Sequence, residues 1–478
     1  MQPSEGFGRR PVPLEGIYKE CDMTPENVRT AADARKIVEE RKLEHVKVGV
    51  FDNDGVMRGK YMGRDKFFAA LDKGFGFCDV VLGWDSNDQL YDNVKYTGWH
   101  TAYPDAPVRV LPDTCRAVPF EGDMVMFLGE FAEKAEAVCP RAVLRRVLAK
   151  GESMGYSAIA ATEFEFFMFK ETPESVREKG FRNLTTLTPG YFGYSVLRSS
   201  VHAEFYHQLL KLCTDMRIPI EGLHTETGPG VLEAAIQYCE ALEAADRGSL
   251  FKTFTKILAQ RNGMMATFMA KWSKDWPGQS GHVHTSLKRK SDGKPAFHDA
   301  AKPHYMSDEM RWYVGGQQKL MPELLAMVAC TVNSYSRLIP GFWAPTSATW
   351  GVENRTTALR VIPGGPSSQR VEYRIAAADI NPYLAIAVAL GSGLYGIENK
   401  IEPDPMVEGN AYDKKFPKNR SLPRTLTEAS EWLEKSKPAR ALFGDAFVEH
   451  YAASREWEDR EFRRAITDWE LARYFEII

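Results

Sequence analysis

The sequence predicts an α+β fold in two units, a small N-terminal one built on short strands and a larger C-terminal one in which helices and strands alternate. Three observations carry this. Residues 47–62 read as a hairpin, with Val48 and Val50 alternating before the turn Asn53-Asp54-Gly55. Residues 160–169 alternate between acidic and apolar side chains with a period of two, as an extended segment requires. Apolar residues recur at helical spacing in 140–154, 201–217 and 238–262. With 478 residues, 44% of them apolar, the chain can bury more than one core.

In order, residues 1–22 carry Pro and Gly without a period and are expected to form an extended arm. Residues 24–41 read as a helix with Pro25 in its first turn and an apolar stripe of Val28, Ala31, Ala32, Ala34 and Val38, Ile37 at its edge. The small unit then spans 43–139, with further short strands at 108–111, 117–119 and 124–129. Cys139-Pro140 marks a boundary, and the larger unit covers 140–478. Within it 266–270, 282–287, 359–362 and 371–375 read as strands. The turn cluster 363–368 joins the last two into a hairpin. The last sixty or so residues read as helical, with Thr425 and Glu428 spaced as a capping box and Phe462, Ile466 and Trp469 on one stripe.

Composition excludes several functions. A net charge of -3 and a pI near 6.4 offer no electrostatic footprint for nucleic acid or an acidic membrane. Seven scattered cysteines without a C-x-x-C pair point to reduced thiols in a cytoplasm. Met1–Arg10 has no apolar segment of the kind export needs, and no run of about 18 apolar residues predicts a membrane span.

The chemistry lies on or beside predicted strands. Glu163 and Glu165 share one face while Phe164, Phe166 and Met168 share the other, so two carboxylates are aimed together out of an apolar neighbourhood. Such a pair must be exposed, protonated or bound to cations. Glu226 and Glu233 flank a Gly-rich turn, His282 and His284 share a strand face, and Glu372 and Arg374 share another. Arg337, Arg355 and Arg360 add fixed positive charge. Taken singly each is an ordinary surface pattern. Together, five carboxylates and one or two imidazoles make an oxygen-rich set suited to Mg²⁺ or Mn²⁺, and the arginines suit a phosphoryl group in transfer.

These segments resemble the glutamine synthetase family from about residue 43 to the end. Glu163-Phe164-Glu165 is similar to its E-x-E strand and 281–287 to its G-x-H-x-H-x-S-L. Residues 333–341 match N-S-Y-x-R-L-x-P-G, and Asn354-Arg355, Arg360, Glu372-Tyr373-Arg374 and 379–383 complete the order. The resemblance implies a small β-grasp domain before a catalytic domain of strands in a partial barrel surrounded by helices. It implies two or three divalent ions per site, one held by Glu165, Glu226 and Glu233 and another by Glu163, His282 and Glu372. ATP would lie beside His284 and Ser286, with Arg355 and Arg360 on the transferred phosphate. Gly278, Arg337 and Arg374 would bind glutamate. Ring-shaped homo-oligomers with sites between subunits are implied as well.

The sequence also departs from that family. Where ammonia-using members carry an acid in P-G-Y-E-A-P, this chain reads Pro340-Gly341-Phe342-Trp343-Ala344-Pro345. An indole accepts no proton at neutral pH, which makes ammonium a poor acceptor. Val231 stands where a glutamine is common and Pro277 where an asparagine is. Trp84, in 82–86, is a distant counterpart of an acidic loop. No tyrosine in 419–423 matches the adenylylation motif. The departures resemble γ-glutamyl-amine ligases, with Trp343, Phe342 and Trp84 expected to line an amine pocket. The competing expectations are an ammonia-using glutamine synthetase and a catalytically silent structural relative.

Overall fold

The computed structural model describes residues 23–478, and two sheets organise them. The first contains β1 (His45–Phe51), β2 (Met57–Gly63), β3 (Phe75–Cys78), β4 (Asp105–Ala117) and β5 (Val125–Phe131) in the order β2-β1-β5-β4-β3. β1 and β2 form the expected antiparallel hairpin. Its turn closes because the Asp52 carboxylate accepts from the Asp54 and Val56 backbone N–H groups while Gly55 takes a φ of 76°. Val46 and Val48 bury against Ile37, Val38, Phe67 and Phe127.

The second sheet is built from β6 (Tyr156–Phe169), β7 (Ile220–Thr225), β8 (Val231–Ile236), β9 (Cys239–Glu240), β10 (Met265–Thr267), β11 (Gly281–Arg289), β12 (Trp350–Val352), β13 (Leu359–Ile362) and β14 (Arg370–Tyr373). Its order is β12-β13-β14-β11-β6-β8-β7, with β9 and β10 also on β6. β6 is the axis. On its apolar face Phe164 and Phe166 pack with Phe251 and Phe268. The helix Pro382–Glu398 lies deep in the same core, close enough to the helix Asp308–Leu324 that a Cβ at Gly396 would come within 2.1 Å of the Trp312 carbonyl oxygen. This mixed architecture is the α+β fold expected.

The two sheets share a buried apolar cluster, in which Phe51 packs on Tyr383, and are also joined by polar groups. Asn381 Nδ2 donates to the carbonyls of Asp52 and Asn53, and the buried Arg455 reaches Asp54 at 2.7 Å. Among the described residues no helix is long and apolar enough to cross a membrane, and Cys78, Cys115, Cys139, Cys213, Cys239 and Cys330 are free thiols.

One expectation is left untested and several are corrected. The arm 1–22, with Cys21, lies outside the described residues. The first helix starts at Ala31, because Thr30 and Asp33 form a reciprocal capping box that ends the preceding extended segment; Pro25–Asn27 is a separate 3₁₀ turn, and Ile37 lies in the core. The helix Arg64–Lys73, with Phe67 and Ala70 inward, has no counterpart in the sequence reading. The piece at 108–111 and Ala117 belong to one strand, β4, interrupted by a bulge between Leu111 and Arg116, and the expected strand at 117–119 does not continue past Ala117. Thr425 caps its helix, but the Glu428 carboxylate accepts from Arg424 N–H, so no reciprocal box forms. Phe462, Ile466 and Trp469 form no buried stripe: one helix ends at Phe462, another starts at Asp468, and all three side chains are exposed.

Candidate active site

Strand register assembles the site. Residues directly opposite each other in neighbouring strands project to the same face. His282 lies opposite Glu163, and Glu233 opposite Glu165. His284 lies opposite both Ala161 and Glu372, and Glu372 opposite Arg360. On the other flank His224 lies opposite Glu233. Since Ala161, Glu163 and Glu165 share a parity, one sheet face carries Arg360, Glu372, His284, His282, Glu163, Glu165, Glu233 and His224. The opposite face of β6 is the phenylalanine core, which is why the register cannot slip by one residue without burying the carboxylates.

A cavity of about 320 Å³ opens on this face. Its floor is Glu163, Glu165, Glu226, Glu233, Ser280 and His282; Arg337, Arg355 and Arg374 reach it from the side, and Tyr194, Val231, Pro277, Phe342 and Trp343 form its other end. A second cavity of about 360 Å³ shares Glu163 and is lined by His284, Ser286 and Arg370 among others. Glu372 sits behind the floor, 3.2 Å from His282 Nδ1, and holds Arg360 at 3.0 Å and Arg374 at 2.5 Å. Gly278 lies on an irregular segment where a Cβ would meet Arg337 Cγ at 2.6 Å and the Ala270 carbonyl at 2.7 Å, so a glycine lets the backbone rest on the aliphatic stem of Arg337.

The floor is rich in oxygen donors. Atoms of Glu163, His284 and Glu372 that could hold a metal lie within 4.8 Å of one another, as do those of His224, Glu226 and Glu233. Burial pushes the Glu165 carboxyl up to about 7, with the Glu226 charge adding, although the Ser280 N–H and Arg337 pull the other way. Burial and then the charges of Glu163, Glu165, Glu226 and Glu372 push Glu233 up to about 10. For Glu163 burial is outweighed by its hydrogen bond with His282 and the neighbouring imidazoles, and the carboxyl is lowered. Burial, reinforced by Arg374, lowers His282 to about 4, so its imidazole is neutral and free to donate a lone pair. Buried carboxylates held off ionisation by one another, beside a neutral imidazole, fit divalent cations bound through oxygen and nitrogen.

His224 is a residue the sequence reading missed. Its imidazole is 3.4 Å from both Glu226 and Glu233 and stacks on Tyr194 with ring centroids 4.5 Å apart. The signal was present as His224-Thr225-Glu226, a strand-period partner to a carboxylate already chosen. Tyr194 had no such signal, because it arrives from an irregular loop. Trp84 stands apart from these residues within one chain. It does not line the cavity of its own chain but lies beside the first sheet under the Arg58 guanidinium, 4.9 Å from the ring centre, because β2 brings Arg58 across it.

Comparison with known proteins gives the family. The family described as glutamine synthetase, catalytic domain, matches residues 137–474. The chain belongs to the glutamine synthetase family, a class of ligases that use ATP and divalent metal ions. More particularly, it is 46% identical over 444 residues to type-1 glutamine synthetase 2 of Dictyostelium discoideum, covering 91% of this chain and 84% of that one. It is 37% identical over 463 residues to a glutamate–isopropylamine ligase of a Pseudomonas species (95% and 100% covered) and 36% identical over 430 residues to gamma-glutamylethanolamide synthetase GlnA4 of Streptomyces coelicolor (89% and 91%). A solved GmaS/ADP complex superposes with a TM-score of 0.81 over 93% of this chain and 99% of that one, at 24% identity, a likeness of fold.

Proposed function

We propose that this protein is an ATP-dependent ligase that joins the γ-carboxylate of glutamate to an organic amine through a γ-glutamyl phosphate. The observation that carries this is the composition of the cavity's outer end. Its lining includes Tyr194, Val231, Pro277, Phe342 and Trp343, so that an indole stands in the loop where ammonia-using members carry an acid. Bare aromatic walls favour an aryl or small alkyl amine, which can stack on the rings.

In this reading Arg337, Arg374 and the segment at Gly278 hold glutamate, His284 and Ser286 lie along the nucleotide, and Arg355 and Arg360 face the phosphate in transfer. Glu163, Glu165, Glu226, Glu233, His282 and Glu372 hold two or three Mg²⁺ or Mn²⁺ ions, with His224 as a further candidate. Bound there, the ions would offset the negative charge of the floor and of the phosphates. Arg360 and Arg374 keep their positive charge aimed at the site because Glu372 fixes both, so they need not reorganise as charge develops. The same reading carries a ring-shaped homo-oligomer with sites between subunits, in which Trp84 would approach the cavity of a neighbouring copy.

The 46% relative bears the name glutamine synthetase, so ammonium is the decisive comparison. Phosphate release dependent on ATP and glutamate should saturate at lower concentration with ethylamine or aniline than with ammonium or putrescine. Saturation at low ammonium overturns the proposal in favour of an ammonia-using synthetase, and no turnover with any acceptor in favour of a silent relative.

A further inference from the structure

Lys271 is a buried lysine, 7% exposed, that the reading above leaves without a role. Among the described residues no carboxylate lies within ion-pairing distance of it. Its charge is met instead by a peptide group and a ring: Nζ donates to the Trp276 carbonyl and stands 4.5 Å from the centre of the Phe342 ring. Its backbone is fastened too, since Lys271 N–H donates to Asn333 Oδ1 and its carbonyl accepts from Asn333 Nδ2, both at 2.8 Å. One side chain therefore touches the segment ahead of Pro277 and Gly278 and the loop bearing Phe342 and Trp343. Its main chain is tied to the 3₁₀ turn that leads into Arg337.

A buried ammonium costs free energy that an apolar residue would not, and a carbonyl with an aromatic face is an incomplete replacement for water. Core packing alone gives no reason for a lysine here. Burial lowers its pKa, with Asp275 opposing, which is the cost of the placement. A cation does offer one thing an apolar side chain cannot, a directional hold on two loops at once. The Phe342 loop needs such a hold: Gly341 and Trp343 take φ values of 84° and 59°, the latter unfavourable for a residue with a Cβ, and Trp343 is 58% exposed with little packed around it.

We propose that Lys271 is a positioning residue that couples the glutamate segment to the acceptor wall, setting how tightly the amine is bound without touching either substrate. Lys271 lines neither the floor nor the walls of the cavity and stands behind Phe342. The inference rests on the ligase reading for the identity of the acceptor, but the coupling itself does not.

The test uses the full chain with Mg²⁺ and ATP. K271M should raise the KM for amine about tenfold and that for glutamate severalfold, with kcat within about threefold and the KM for ATP unchanged. K271R, which keeps the charge, should recover most of the loss, and K271Q, which keeps only a donor, should lie between. F342L removes the other partner and should show the same signature, with K271M/F342L no worse than the poorer single variant. Should K271M fail to fold, K271R, K271Q and F342L carry the same comparison. If wild-type protein proves to use ammonium and no organic amine, the ligase reading fails, and the coupling is then read from the KM values for hydroxylamine and glutamate in hydroxamate formation. KM values within twofold of wild type in K271Q and F342L, or a loss confined to kcat that K271R does not restore, overturns the proposal.

Discussion

The floor and the outer end of the same cavity are built in opposite ways. Glu163, Glu165, Glu233, His282 and Glu372 stand on strands whose register is pinned by a phenylalanine core, and Glu372 alone is bound by three neighbours. Tyr194, Phe342 and Trp343 stand on loops, Trp343 in a strained left-handed conformation and more than half exposed. Activation of a carboxylate demands charges fixed to within a fraction of an ångström, and regular hydrogen-bonded strands supply that. Choosing a nucleophile demands only a shape, and a loop can change shape without disturbing the sheet beneath it. One family can thus keep one reaction and vary its acceptor.

The comparison is broken most directly at the floor. Glu372→Ala leaves Arg360 and Arg374 without their shared buried partner. It should cost about 3–5 kcal/mol of stability, seen as a lower Tm, and at least about 100-fold in kcat. Unchanged melting would mean the floor is not the rigid part.

At the outer end the expected effect is a change of preference at nearly constant stability. Trp343→Glu supplies an acid where the family's ammonia users have one. It should raise kcat/KM for ammonium by about 10-fold or more and lower it for ethylamine and aniline, with Tm shifted little because the position is exposed. If preference does not move, Trp343 only packs its loop.

A smaller effect separates the two ends by pH. Glu165 and Glu233 have folded-state pKa values of about 7 and about 10, above the ordinary carboxylate range. Metal-free, the folded protein therefore keeps protons that the unfolded chain has lost, so the stability they contribute is full in acid and falls as pH rises through 7 and on toward 10. Divalent ions relieve that repulsion, so Mg²⁺ should raise Tm more at pH 8 than at pH 6. Equal shifts at the two pH values would remove Glu165 and Glu233 from the metal set. The smallest expected change is at Trp84. Trp84→Leu loses the stack under Arg58, worth about 0.5–1 kcal/mol, and, with Trp84 at the cavity of a neighbouring copy, should raise the KM for amine about twofold. An unchanged KM would remove Trp84 from the amine pocket.

How much of this was legible follows the same division. The E-x-E run and the H-x-H run could be assigned to strand faces from sequence, since the two residues of each run are only two positions apart. The hairpin at 47–62 was legible for the same reason. The helix Arg64–Lys73 was not, because its inward face is only Phe67 and Ala70, too weak a stripe to show without the strands it covers. Tyr194 and Lys271 join the site from segments with no period at all. The stripe at Phe462, Ile466 and Trp469 was periodic, yet it faces outward in the chain.

Sequence by itself determined which side chains could point together, because alternation along an extended backbone is a matter of covalent geometry and needs no partner. Only the tertiary structure decided which of those faces met. His282 came to lie opposite Glu163, and Glu233 opposite Glu165 with His224 beyond it, through pairings between residues as much as 119 positions apart. Those registers are set by the burial of Phe164 and Phe166 against helices from distant parts of the chain, a packing free energy that no local stretch contains.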